Sequence, residues 1–258
     1  MSSTFKIAGD SVWMPQSWMF DKLMQRLSSK LQATRPDLSN ILRRARMSVD
    51  VDPSPNSEEI AQSSTEMNMP PVGPGYINIV LLDAEDFCVV LEGVTEVINQ
   101  AFWDKHLIFA EPGAFDDFLS GVSLLKALLR VDRRAAGRYS RTCRVIVNQA
   151  AVWETQQWIY DMVLEHIAGD ITFTKPGLST ELLACRGEAG VYECNLQDLQ
   201  TAEFASLVPP VSWMFARYGD AASRDAYAPS AYAALAPSIV ELASLVLKDA
   251  RASQKTPG

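Results

Sequence analysis

A chain of 258 residues with 48% hydrophobic and 21% charged side chains has globular composition, and length for one large domain or two small ones. Its formal charge of -8 excludes indiscriminate attachment to nucleic acid through whole-molecule charge, so any polyanion site must be a local patch. No apolar run approaches the ~18 residues of a membrane span, no charged start followed by an apolar run marks a signal peptide in Met1–Gly9, and Cys88, Cys143, Cys185 and Cys194 form no CxxC pair, which favours free thiols in a reducing compartment over disulfides or metal ligands.

Phe20, Leu23, Met24, Leu27 and Leu31 recur at helical spacing and predict a helix from about Trp18 to Gln32. A second helix is expected from Pro36 to Met47, with Thr34 as cap and Leu38, Ile41, Leu42 and Ala45 as its stripe. Ser48–Gly75 carries five prolines and five acidic residues without a basic one, which is the composition of an exposed acidic loop. Tyr76–Leu82 reads as a short strand. Asp83 is placed to cap a third helix that runs through Phe87, Val90, Leu91, Val94, Ile98 and Ala101 to about Asp104. Leu107–Ala110 is a candidate second strand, and Glu111–Pro112–Gly113 a turn. A fourth helix is expected from Ala114 to Val131 or beyond, and a long fifth from Tyr139 to Ile167, closed by Gly169. Ala226–Pro237 has linker composition, and Ser238–Ala252 reads as a last amphipathic helix before a fraying end. Trp213–Met214–Phe215 is expected in the core rather than at an interface. No internal repeat is read from the sequence.

One stretch stands out on this acidic background. Lys126, Arg130, Arg133, Arg134, Arg138, Arg141 and Arg144 fall within nineteen residues, opposed only by Asp132. On a continuous helix they would share an arc of about 140° over roughly 28 Å. Arginine forks bind phosphates bidentately, and Tyr139, Ser140, Thr142 and Asn148 could add stacking or hydrogen bonds. The competing reading is a solvated face paired with the acids of Ser48–Gly75. The positive face also requires the helix to continue through Gly137.

Motifs for catalysis are absent. His106 and His166 sit in no metal-ligand spacing, and there is no GxGxxG, P-loop or GxSxG. Neighbouring acids at Glu58–Glu59, Glu85–Asp86 and Asp116–Asp117 read as solubilising surface. No catalytic residue, metal site or cofactor is therefore expected, and a small-molecule enzyme with a dispersed site is the third reading of the chain.

The order of elements resembles the coat proteins of rod-shaped helical plant RNA viruses, of the tobacco mosaic virus type and its tobravirus, hordeivirus and benyvirus relatives. Val12–Trp13–Met14–Pro15–Gln16–Ser17–Trp18 is similar to that family's aromatic entry to the first helix. Tyr76–Ile77–Asn78–Ile79 with Asp83–Ala84–Glu85–Asp86–Phe87 is similar to its strand and acidic helix start, and Arg133–Arg134 fall where it places RNA-facing arginines. The family's Phe–Glu pair is lacking, with Tyr160–Asp161 the nearest equivalent. Ala114–Phe115–Asp116–Asp117–Phe118 faintly resembles a motif of flexuous-filament coat proteins.

The resemblance covers roughly residues 10–173 and implies four-helix subunits, so the expected fold is mainly α, with a four-helix-bundle core and one or two short strands over 1–177, plus a C-terminal helical extension over 178–258 that has no counterpart in the family. It further implies a capsid protein, homo-oligomeric in the virion or the host cytoplasm, assembled around single-stranded RNA held by the seven basic residues, with no membrane. Asp83, Glu85, Asp86, Asp116 and Asp117 are candidates for a carboxylate switch between subunits. The alternative is a monomeric helical adaptor that binds an acidic protein partner.

Overall fold

The computed structural model describes residues 3–8, 11–46, 72–108, 112–135, 137–187, 190–218, 229–249 and 251. Most of the expected acidic loop and the C-terminal end lie outside them. The chain divides into two compact units. Unit 1 comprises 1–103 with 132–135, and unit 2 comprises 104–131 with 136–258.

In unit 1, β1 (Thr4–Ala8) and β2 (Ser11–Trp13) form a hairpin, followed by α1 (Ser17–Leu31) and α2 (Pro36–Ala45). β3 (Val72–Gly73) and β4 (Tyr76–Asn78) complete a four-stranded sheet in the order β2-β1-β4-β3, with β4 parallel to β1. α3 (Ala84–Ile108) follows, then α4 (Pro112–Val131), which belongs to unit 2. Unit 2 continues with the hairpin β5 (Thr142–Asn148) and β6 (Ala151–Gln156), then α5 (Gln157–Ile171), α6 (Pro176–Ala184) and β7 (Glu193–Asn195), which lies parallel to β5. α7 (Thr201–Ala205), α8 (Val208–Tyr218) and α9 (Pro229–Lys248) complete it. Two small mixed sheets among the helices make this an α/β mix. The expected four-helix bundle is not the architecture.

The chain is an internal duplication. The β1/β2 hairpin pairs Phe5 with Trp13, Lys6 with Val12 and Ala8 with Ser11. The β5/β6 hairpin pairs Val145 with Trp153, Ile146 with Val152 and Asn148 with Ala151, with its irregularity at the same place. The third strand adds in the same register, Thr4 to Tyr76 and Arg144 to Glu193. A constant offset takes Gln16, Trp18, Asp21, Pro36, Leu38, Ser39 and Leu42 to Gln156, Trp158, Asp161, Pro176, Leu178, Ser179 and Leu182. The local hydrogen bonds repeat with it. Trp18 Nε1 donates to Gln16 Oε1 at 2.6 Å and Trp158 Nε1 to Gln156 Oε1 at 2.7 Å. Ser39 Oγ reaches the Ser28 carbonyl and Ser179 Oγ the Ala168 carbonyl, both at 2.7 Å.

The cores match in the same way. Val145, Val163, Leu164, Ile167, Leu182, Leu196, Leu207 and Val211 enclose the apolar centre of unit 2. Their counterparts Phe5, Leu23, Met24, Leu27, Leu42, Ile79, Val90 and Val94 are all buried in unit 1. Each such side chain contributes about 1.5–3 kcal/mol on burial.

One polar device closes each unit. Arg134 Nη1 donates to the carbonyls of Ile79 at 2.8 Å and Leu82 at 3.1 Å, and Nη2 to that of Ile7 at 2.8 Å. Asp132 accepts from Arg134 Nε at 2.8 Å, and the guanidinium lies 3.9 Å from the Phe87 ring. Arg251 repeats this set on Leu196 at 2.9 Å, Leu199 at 3.4 Å, Val147 at 2.6 Å and Asp249 at 2.9 Å, with Phe204 3.9 Å below it. These carbonyls leave a strand and enter a helix, where the backbone supplies no ladder partner. A planar fork of five donors can take several of them at once.

Several boundaries differ from expectation. The helix expected over Tyr139–Ile167 is a hairpin followed by α5, because burial along Thr142–Asn148 alternates with period two. Leu107 and Ile108 are helical, and Pro112 and Gly113 open α4 rather than form a turn. Gly169 lies inside α5, where a Cβ would come within 2.3 Å of Leu119 Cδ2, so it permits helix contact rather than ending the helix. Residues 229–237 are helix and not linker, with Pro237 inside α9.

Replacing Arg134 or Arg251 by Gln is expected to cost about 3 kcal/mol in denaturant unfolding, with Lys rescuing neither, since a single ammonium cannot span the carbonyls. The Arg251 hydrogen bond holds the Asp249 carboxyl well below the usual range. Its contribution is complete above about pH 4 and is lost as the pH falls below that.

Candidate functional site

The stretch Lys126–Arg144 is not one helix. α4 ends at Val131, Gly137 turns the chain at φ +89°, and β5 begins at Thr142. The seven basic side chains consequently have three different fates.

Lys126 and Arg130 point inward from α4. Lys126 is paired with Glu165 of α5, and Ser123 Oγ donates to the same carboxylate at 2.9 Å. Arg130 Nη1 meets Asp161 Oδ2 at 2.7 Å, and Tyr139 covers its guanidinium at 4.3 Å. Arg186 Nη1 adds a third cation to Glu165 at 2.9 Å, and the Gly187 amide donates to Asp161 Oδ1 at 2.7 Å. Lys126, Asp161 and Glu165 are at most 1% exposed. Arg134 is the fork of unit 1. These three cations are therefore engaged internally and are not placed to meet phosphates.

Among the described residues the cluster sets Lys126, Arg130 and Arg186 against Asp161 and Glu165. Only lysine can shed a proton near neutrality, and burial together with Arg130 and Arg186 lowers Lys126 to about 7 against the pull of Glu165. Burial raises the Glu165 carboxyl, but Lys126 and Arg186 outweigh it and hold that carboxyl low. Lys126 comes close to neutrality at pH 7, whereas removing the Glu165 charge takes a carboxylate from both Lys126 and Arg186. Glu165→Gln is accordingly expected to lose about 3–5 kcal/mol, and Lys126→Met less than about 1 kcal/mol, in parallel urea melts.

Arg133, Arg138, Arg141 and Arg144 remain exposed. Arg133 belongs to unit 1 and the other three to unit 2. Arg141 stacks on Tyr192 at 4.9 Å, and Arg144 is paired with Glu193. The Arg144 amide donates to the Tyr192 carbonyl at 2.9 Å. Thr142, Cys143, Arg144, Glu154, Tyr192 and Glu193 line an open surface depression of about 340 Å³. Its lining carries both signs of charge, Arg144 with Glu154 and Glu193, and Arg141 stacks on the Tyr192 that borders it.

The carboxylate candidates also separate. Asp83 caps α3, accepting from the Asp86 amide at 2.8 Å, while Asp86 is paired with Arg35 and Glu85 is exposed. Asp117 is exposed. Asp116 is half-buried, its Oδ1 has no hydrogen-bond partner, and burial with the Asp170 and Asp117 charges raises its carboxyl to about 7. Burial raises Asp170 as well. Sequence reasoning missed Asp170, whose partner only the α4–α5 packing reveals. This like-charged pair is within one unit of one chain. Its protonated form is favoured on folding, so its effect on stability worsens as the pH rises from about 4 to about 7. Asp116→Asn is expected to raise the melting temperature at pH 8 and leave it unchanged at pH 4.

His166 is half-buried and stacks on Trp213, with ring centroids 4.6 Å apart, and desolvation and then Arg217 lower it to about 4. The His106 side chain lies outside the described residues. Of the expected core cluster only Met214 is buried, while Trp213 and Phe215 are 40% and 44% exposed. Among the described residues no group of His, Cys, Asp and Glu is arranged to hold a metal ion, and no helix is long and apolar enough to cross a membrane.

No family model matches the chain, and no curated protein or solved structure is significantly similar to it.

Proposed function

We propose that this chain is a non-catalytic adaptor, built from two copies of one architecture, that binds an acidic protein segment on unit 2. The carrying observation is the surface formed by Arg141 and Arg144 beside Tyr192, exposed while Lys126, Arg130 and Arg134 are consumed in the interior. A stacked arginine beside an aromatic ring is a common anchor of protein interfaces. Glu154 and Glu193 share the same depression. They repel a continuous phosphate strand, but they suit a protein segment that carries acids with some bases or amides.

Coating of single-stranded RNA, the function the resemblance implies, was motivated by a seven-cation helical face and a four-helix bundle. Neither is present. With Arg144 already paired with Glu193, Arg141 beside Tyr192 neutralises few phosphates.

The test titrates the full chain with a glutamate-rich peptide and, separately, with polyuridylate. The expected result is peptide binding that weakens with salt and falls about tenfold, ~1.4 kcal/mol, in Arg141→Gln with the fold intact. Peptide binding indifferent to that substitution contradicts the reading. Preferential binding of polyuridylate with rods in negative stain replaces it with the coat-protein function.

A further inference from the structure

The duplication includes the helix that ends each copy. A constant offset takes Pro112, Val122, Leu125, Asp132 and Arg134 to Pro229, Ile239, Leu242, Asp249 and Arg251, so α4 ends the first copy and α9 the second. Within unit 2, α4 packs on α5, the first helix of the second copy. One stripe of α4 makes the contact. Leu119 lies against Gly169, Ser123 and Lys126 meet Glu165, and Arg130 meets Asp161. The receiving face of α5 is closed to water, with Trp158, Glu165 and Thr172 at most 5% exposed.

Both halves of this interface occur a second time in the chain, and there both are open. The equivalent stripe of α9 is Ala236, Val240, Ala243 and Leu247, with Val240 and Leu247 41% and 42% exposed. The equivalent face of α1 carries Trp18, Gln25, Ser29 and Gln32, with Trp18 38% exposed and the other three exposed as well. The two open faces differ from the internal pair in a matched way. Ser123 and Lys126 against Glu165 correspond to Val240 and Ala243 against Gln25, so charge is missing from both sides together. Leu119 against Gly169 corresponds to Ala236 against Ser29, so bulk lost on one side returns on the other. The like charges of Asp116 and Asp170 correspond to Ala233 and Lys30. Leu247 stands where Arg130 does, and Asp21 has Arg46 of its own unit at 4.0 Å.

We propose that α9 of one molecule docks on α1 of a second copy of this chain, with the packing that α4 and α5 already show. The occupant is a second copy because the face that complements each open helix lies on the same sequence. Removing Val240 and Leu247 from water supplies the apolar part of the contact. The contact is head-to-tail. A docked pair still offers one α9 and one α1, so further copies add until the rotation closes a ring or a chain grows. Neither face includes Arg141 or Tyr192, so the self-association and the acidic-segment binding proposed above stand or fall separately.

Sedimentation equilibrium of the full chain alone, without peptide or nucleic acid, from about 1 to about 200 μM, tests the proposal. The expected mass rises with concentration past that of a pair. Val240→Lys and Gln25→Lys each set a charge on one exposed face, and each is expected to weaken association at least about tenfold with circular dichroism unchanged. Mixed in equal amounts, the two variants join through the intact α1 of the first and the intact α9 of the second, and the mass stops at a pair. A single-chain mass at every concentration, association indifferent to either substitution, or a mixture that associates no better than its parts would overturn the proposal.

Discussion

The arginine fork is the constraint on which each unit depends. A β-hairpin, two helices and a parallel third strand leave an awkward place where that strand ends and the next helix starts. Its carbonyls have no ladder partner: those of Ile79 and Leu196 each accept a turn amide, from Leu82 at 3.2 Å and Leu199 at 3.4 Å, and a hydrogen bond from a charged donor adds about 1.5–3 kcal/mol. Arg134 and Arg251 each come from a later point in the chain and satisfy these carbonyls together with one from the first strand. Asp132 and Asp249, two residues earlier, hold the guanidinium in plane. One side chain thereby ties the first strand, the third strand, the start of the following helix and the end of the repeat. The same contacts at both sites, down to the ring beneath the guanidinium, make the duplication more than a similarity of element order.

The second organising interaction has no copy in unit 1. The offset takes Glu165 back to Gln25 and Asp161 to Asp21. In unit 1 Asp21 approaches Arg46 at 4.0 Å, and the position of Glu165 carries no charge. In unit 2 the counterpart positions accept Lys126, Arg130 and Arg186 from neighbouring elements and are sealed from water. A cluster of this kind adds little net stability over an apolar replacement, but it penalises any packing that leaves one member alone. It fixes how α4 lies on α5, including the close approach of Leu119 to Gly169.

How much of this was legible in the sequence follows from the physics of each segment. α1 and α2 stood out because their apolar residues keep helical spacing and Pro36 marks the second start. β5 was read as helix because Arg141 and Arg144 are three apart, a spacing that suits a helix face, while the alternation of Cys143, Val145 and Val147 is brief. The charge count suggested one positive surface, but charge alone does not distinguish an arginine that faces solvent from one that faces a carboxylate. Lys126 and Arg130 needed their partners at Asp161 and Glu165, some thirty to forty residues on, which no local pattern supplies. The repeat was missed because its identities fall mainly on contact positions such as Trp13/Trp153, Asp21/Asp161 and Arg134/Arg251. The longer stretch between Ala45 and Tyr76 also shifts the offset midway.

Hydrogen exchange by mass spectrometry on the full chain tests the claim that each unit is closed by its own fork. Arg134→Lys is predicted to raise exchange in 4–8 and 72–87, and Arg251→Lys in 144–148 and 193–204. Exchange that rises evenly along the chain in either variant, or stays unchanged in those segments, would contradict the account.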